Sequence, residues 1–209
     1  MGLISHIGFG GNTTSSSINT TGSSILFVAI WGGATLPTFT DNKSNTWHVA
    51  GTANNCTLYA AYGTISVGSG HTVTTTGGNN TYQSFLAFSG FTGPVDKYST
   101  DSQGYSSSVV TGPITPSTNG CLIMTIGYLA VLAFSSVSVP FSPAIDTHTY
   151  SGDYYSGGVA SAVQGTAIAI SATWTPSGSN FLNALIASYP ASGGVITSGS
   201  QSFALLGVQ

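Results

Sequence analysis

The apolar segments of this chain are short and closely punctuated, with Gly, Asn, Ser or Pro breaking them roughly every 8 to 15 residues. That spacing suits the strands of a sandwich or barrel. Helix-favouring residues are scarce as well: Glu and Arg do not occur, Lys is limited to Lys43 and Lys97, and β-branched and aromatic residues stand in their place. The chain is therefore read as all-β, an antiparallel, jelly-roll-like β-sandwich. Candidate strands are 3–9, 24–31, 38–40, 46–50, 57–65, 71–76, 82–89, 95–99, 107–111, 121–128, 166–174, 181–189 and 202–208. Turns are expected at 41–45, 77–80 and 176–179, where Asp, Asn, Gly, Pro and Ser collect. The stretch 133–158 is the least regular and is expected to hold long loops or an elaboration at one end of the sandwich.

Two apolar runs, Ile25–Trp31 and Leu122–Ile126, do not alternate with polar residues. Strands of that kind are covered on both faces, so each needs a core on one side and a peripheral strand, a loop or another subunit on the other. The same two runs lie in a suggested internal repeat of about 96 residues, with Ser24–Ile30 matching Gly120–Ile126 and Phe85-Leu86 matching Phe181-Leu182. The expected organisation is an N-terminal strand segment over 1–11, a sandwich domain over 12–190 with two related strand sets, and a C-terminal strand in 191–209 behind the hinge Ser192-Gly193-Gly194.

Charge narrows the function classes. Only Lys43, Lys97 and five Asp carry full charge among 209 residues, for a formal net charge of −3. Such a surface cannot neutralise phosphates, which argues against nucleic acid as a partner, and it offers no basic amphipathic helix for anionic membranes. No run reaches the roughly 18 apolar residues of a membrane span, since Cys121–Phe134 is too short and is interrupted by Thr125 and Gly127. With 41% apolar and 11% aromatic residues, the chain has enough to bury to fold.

Signals for chemistry are sparse. His6, His48, His71 and His148 are dispersed and there is no Gly-x-Ser-x-Gly elbow. Asp146-x-His148 places a carboxylate and an imidazole on one face of a strand, but a solvated loop pair is the better reading. Asp41–Asn45 offers oxygen ligands on a turn, yet Lys43 sits among them and a plain hairpin turn accounts for the residues. No catalytic, metal-binding or cofactor-binding residue is expected, and the chain is read as non-enzymatic. Cys56 and Cys121 either form a disulfide, stabilising by about 4 kcal/mol through the long loop they close, or act as small buried hydrophobes. Asn12, Asn19, Asn42, Asn55 and Asn79 begin Asn-x-Ser/Thr sequons and are candidate glycosylation sites. Tyr150, Asp153, Tyr154 and Tyr155, together with Trp47, are candidate glycan-stacking residues, although Tyr- and Gly-rich loops also serve interfaces.

The succession Ser24–Ile30, Asp41–Trp47, Leu58–Ala61, Ser69–Thr74, Phe85–Gly90, Pro94–Asp96 and Ile114–Gly120 resembles Gly/Ser/Thr-rich β-sandwich domains of bacterial surface proteins and phage structural proteins. The resemblance spans roughly 12–190 and implies a fold; its functional analogue is the subunit of an extracellular fibril. Outside that span lie Leu3, Ile4, Ile7 and Phe9 at one end and Phe203, Leu205, Leu206 and Val208 at the other, apolar strand-like ends with no Lys or Pro to protect them. These residues are the candidate assembly interface. The leading expectation is a structural subunit that polymerises head to tail by strand addition, with itself as partner, extracellular or at the cell surface, or else in a virion. The alternative is a phage or cell-surface module that binds glycans. The opening Met1-Gly2-Leu3-Ile4-Ser5 lacks the basic and apolar regions of a signal peptide, so the expectation is export by another route, release by lysis as part of a virion, or a signal already removed by processing.

Overall fold

A computed structural model describes residues 1–11, 13–32, 37–77, 81–130, 132–141, 144–149 and 155–193. Among them there are strands, turns and bends and no helix. The first half carries β1 (Gly2–Gly10), β2 (Ile25–Gly32), β3 (Thr38–Asp41), β4 (His48–Ala53), β5 (Cys56–Ala61), β6 (Val73–Thr76) and β7 (Thr81–Ser89). The second carries β8 (Lys97–Ser106), β9 (Val109–Val110), β10 (Cys121–Leu129), β11 (Phe134–Val137), β12 (Asp146–Thr149), β13 (Ser156–Gln164), β14 (Thr173–Pro176) and β15 (Asn180–Tyr189). Two five-stranded antiparallel sheets, β1-β7-β2-β5-β4 and β12-β13-β10-β15-β8, stack on each other.

Between them lies the main core. Ile25, Phe27, Ala29 and Trp31 of β2 face Leu122, Met124, Ile126 and Tyr128 of β10, with Leu58, Leu86, Phe88, Leu185 and Tyr189 filling around them. Phe27 meets Phe88 and Tyr189 edge-on, at ring separations of 5.7 and 4.7 Å, a favoured aromatic geometry. The remaining residues of the non-alternating runs are buried too. Leu26, Val28 and Ile30 point the other way, beneath Phe39 of β3, Val73 of β6, Ile18 and Trp47. Ile123 and Ile186 do the same on the second sheet, beneath Val109, Val137 and Trp174 of the small sheet β11-β14-β9. The two covers expected from the sequence are thus peripheral strands, and the sandwich has four layers.

The halves share one topology. Read from its opposite edge, the second large sheet runs β8-β15-β10-β13-β12, which matches β1-β7-β2-β5-β4 strand for strand in chain order. The inward-facing residues of β2 and β10 correspond at a step of 97, from Ile25 to Leu122, and those of β7 and β15 at a step of 101, from Phe88 to Tyr189. The pairs Phe27↔Leu86 and Met124↔Ala187 then occupy equivalent places. A constant step of 96 would match Ile25, which faces the main core, with Cys121, which faces the outer one. The 96-residue sequence match is therefore not confirmed, because a slip of one residue exchanges the faces of a strand.

The region 133–158 differs from expectation by containing strands rather than only loops, namely β11, β12 and the start of β13. Its glycines have a packing reason. A Cβ at Gly157 would collide with the Trp31 ring, and one at Gly158 would come within 3.1 Å of Trp174. Glycine there lets each indole close against the sheet, so residues that read as loop formers lie inside a central strand. Conversely, 166–172 is not a strand; it holds the single bridge Ile114↔Ile170, with β14 starting at Thr173.

Cys56 and Cys121 are free thiols. Cys56 lies in the core between the large sheets and Cys121 in the core on the far side of β10, so the fold does not build the disulfide considered from the sequence. Burial pushes the Cys56 thiol up to about 12. In native protein at pH 8, neither thiol should react with Ellman's reagent within minutes, and two per chain should appear in urea. A fast native reaction, or no thiol after unfolding without reductant, would contradict this placement.

Candidate functional site

The candidate assembly residues of the N-terminal segment lie on β1, an edge strand. It pairs with β7 along one side, from Gly2↔Ser89 to Gly10↔Tyr82, and among the described residues no strand pairs with its other side. The expected residues divide. Phe9 is buried and Ile7 half-buried in the outer core beside Leu26 and Phe85. Leu3 and Ile4 remain 41% and 38% exposed, and a bulge between Leu3 and Ser5 turns this end of the strand outward. β1 carries no formal charge and no Pro. The other edges of the two large sheets differ: β8 has Lys97 and Asp101, β12 has Asp146, and β4 packs against β8 and β15. Phe203, Leu205, Leu206 and Val208 lie outside the described residues. The chain leaves the described region at Gly193, where Ser192 N–H donates to the Gly90 carbonyl next to Met1, close to the start of β1.

A buried polar node, which no sequence spacing announced, braces the outer layer of the first sheet. His71 Nδ1 is 2.9 Å from Thr20 Oγ1, and its Nε2 lies 3.4 Å from Asp41 Oδ1, at ion-pair distance but too poorly aligned for a hydrogen bond. Asp41 accepts from Lys43 N–H at 2.7 Å, from Asn45 N–H, and from Trp47 Nε1 at 2.6 Å. Burial acts to raise the Asp41 carboxyl, and the interactions with His71, Trp47, Lys43 and Asn45 outweigh it, leaving the group below its ordinary value of 3.8. Hydroxyl, imidazole and carboxylate stand in the order a nucleophilic triad would need. Yet Thr20 and His71 are fully buried, and Thr20 Oγ1 also bonds Gly68. The node has the form of a brace joining the segment before β2, the β3–β4 turn and the start of β6. The turn at 41–45 thus spends its carboxylate on its own backbone, as an Asx turn does.

The proposed glycan residues do not converge where the structure describes them. Trp47 is half-buried and packs edge-on against Phe39 at 5.2 Å and near Phe85 at 6.3 Å, on the outer face of the first sheet. Tyr155 packs on the opposite side of that sheet, stacked on Tyr128 at 5.9 Å. Tyr150, Asp153 and Tyr154 lie outside the described residues. Asp146 is not a loop residue; its carboxylate takes a hydrogen bond from Ser84, tying β12 to β7.

Of the sequons, Asn12 and Asn79 lie outside the described residues. Asn42 uses its whole amide, donating to Gly70 O at 2.8 Å and accepting from Thr72 N at 3.0 Å. Asn55 is half-buried and sits in a left-handed turn with φ of 61°. Asn19 is exposed, and its oxygen accepts from Thr21 N–H.

At one end of the sandwich a groove of about 460 Å³ is lined by Asn54 and Asn55 of the β4–β5 turn, Ser102 and Gln103 of β8, Tyr128 of β10, and Phe181 and Asn183 of β15. No family model, no curated protein and no solved structure matches this chain. The fold and its surfaces therefore carry the functional reading, and nothing places the chain among the surface and phage domains it resembles.

Proposed function

We propose that this chain is a structural subunit that joins copies of itself head to tail into an extracellular filament, a surface fibre or a virion component. The joint is strand addition on β1. One observation carries the reading: β1 is an uncharged nine-residue edge strand that pairs with no strand but β7 among the described residues, with Leu3 and Ile4 exposed. Such an edge presents a row of main-chain donors and acceptors to an incoming strand, and natural monomers usually block it with charge or proline. The scarcity of charge favours the same reading, because few ions need be desolvated or matched where identical surfaces meet. The incoming strand is the apolar run Phe203–Val208 of a neighbouring copy, chosen on its sequence alone.

The variant Leu3→Lys/Ile4→Lys places two cations on that edge at exposed positions. Sedimentation velocity and negative-stain microscopy should show wild-type polymers lengthening with concentration, and a folded monomer for the double variant. Deleting 195–209 should give a monomer as well. A monodisperse wild-type monomer at millimolar concentration would overturn the reading; polymers unchanged in both variants would move the joint away from β1.

A further inference from the structure

We propose that the seat β1 fills on β7 has a second occupant in the same chain, the tail segment 202–208, and that the two exchange. The seat has a definite chemistry. Ile7 and Phe9 of β1 turn into the outer core, and Gly8 between them faces the second sheet, where a Cβ would collide with the Asp146 carboxylate and the Tyr82 hydroxyl. A strand lying there must read apolar, glycine, apolar, because successive side chains take opposite faces and one face has no room. Outside the central strand β10, that triplet occurs twice in the chain, as Ile7-Gly8-Phe9 and as Leu206-Gly207-Val208. The match continues in the same register: Phe203 falls on Ile4, Ala204 on Ser5, and Leu205 on His6, whose position is exposed. Neither segment carries a formal charge or Pro.

The likeness of the two halves delivers the tail to this seat. The turns that follow the equivalent strands β7 and β15 pair about a local dyad: Phe91 bridges Ala191, Thr92 N–H donates to Pro190 O at 3.0 Å, and Ser192 N–H donates to Gly90 O at 2.8 Å. Gly93 and Gly193 then take the same left-handed backbone, with φ of 80° and 75°. After Gly93 the chain crosses to the other sheet and becomes β8, lying along β15. The equivalent path from Gly193 leads to β7, in the direction of β1. β1 begins beside that exit, since Gly2 pairs with Ser89. From Gly2 to Phe9 is about 23 Å of strand, and the chain from Gly193 to Val208 can span about 50 Å, so Leu206-Gly207-Val208 reaches the place of Ile7-Gly8-Phe9. β1 is also suited to leave: it is terminal, packs chiefly on β7 and is followed by Gly10-Gly11. With the tail seated, β1 is off the edge and the tail is withheld from neighbouring copies. That consequence rests on the proposed assembly; the exchange itself does not.

Amide hydrogen exchange of dilute full-length protein tests the exchange. In Gly8→Val, whose side chain has no room beside Asp146 and Tyr82, amides of 2–10 should lose protection at least about tenfold. Those of 81–89 that bond β1 should stay within about threefold of wild type, and 203–208 should become protected. Adding Gly207→Val should then strip the protection of 81–89 as well. Thermal melts check folding. If Gly8→Val does not fold, Ile7→Ser, which weakens β1 at a half-buried position, gives the same comparison with and without Gly207→Val. Protection lost from 2–10 and 81–89 together in the single variants would overturn the proposal, as would a Gly207→Val that changes nothing at 81–89 in either background. Protection of 203–208 that appears only as concentration rises would seat a neighbour's tail there and overturn it too. A wild type that never polymerises would sink the assembly reading alone, because these measurements need no polymer.

Discussion

Trp174→Ala should destabilise the protein by about 3–5 kcal/mol, the range for removing a large aromatic from a packed core, against a typical total of about 5–15 kcal/mol. Trp174 is fully buried between the second large sheet and its β11-β14-β9 cover. Its Nε1–H donates to Thr125 Oγ1 at 3.0 Å, and Phe134 lies against it at 4.9 Å. Its truncation leaves both a void and the Thr125 hydroxyl without that donor. A double-mutant cycle sharpens the test. A Cβ at Gly127 would stand 2.6 Å from the Trp174 ring, so Gly127→Ala alone should cost about 1–3 kcal/mol by overpacking. In the Trp174→Ala background the same substitution should cost less, because the nearer ring it strikes is gone and Phe134, 2.9 Å from that Cβ, can shift into the space left. Urea denaturation of the four proteins measures this; additive effects would show that the ring does not pack on Gly127.

Asp41→Ala should cost about 3 kcal/mol, since it strands the Lys43 and Asn45 amides and the Trp47 indole N–H and leaves His71 without its carboxylate. The pH dependence has a definite sign. The folded carboxyl sits below the ordinary value of 3.8, so the folded state binds this proton less readily than the unfolded chain. Its stabilising contribution is complete above the unfolded value and is lost as pH falls through the folded one. Wild-type stability should therefore drop between about pH 5 and the acid limit, and Asp41→Ala should show a shallower fall over that window. Equal slopes for the two proteins would mean that the Asp41 contacts do not stabilise the carboxylate.

Much of this fold was legible in its residues. The non-alternating runs of β2 and β10 announced burial on both faces, and each proved to have a peripheral cover. β1, β7 and β15 were visible as apolar runs ending in turn formers. What was hidden has physical causes. β13 begins with Ser156-Gly157-Gly158, which reads as a loop because the indoles of Trp31 and Trp174 that require those glycines are distant in sequence. β8 extends through Ser102-Gln103-Gly104, a polar stretch tolerated because its edge position leaves it solvated. The repeat was sought at a constant step, whereas the sheets match at different steps in different strands, and composition-biased strands align with one another in many registers.

The sites were less legible than the fold. Nothing in their spacing links Thr20, Asp41 and His71, since long-range β pairing alone brings them together. Trp47 looked like a stacking platform and is instead held by Asp41 and the aromatic cluster of the outer layer. The exposed end of β1 was anticipated from Leu3 and Ile4, while Ile7 and Phe9 serve the protein's own core.

The side of β1 turned away from β7 can be observed directly. Amide hydrogen exchange of 2–10, followed as the protein is concentrated from dilute solution, reports whether the N–H groups that do not bond β7 acquire partners. If copies join through this edge, those amides should become protected as polymer forms, at least about tenfold, while the β7-facing amides change little. Exchange on that side that stays fast in concentrated protein, whether or not polymers are present, would contradict assembly through β1.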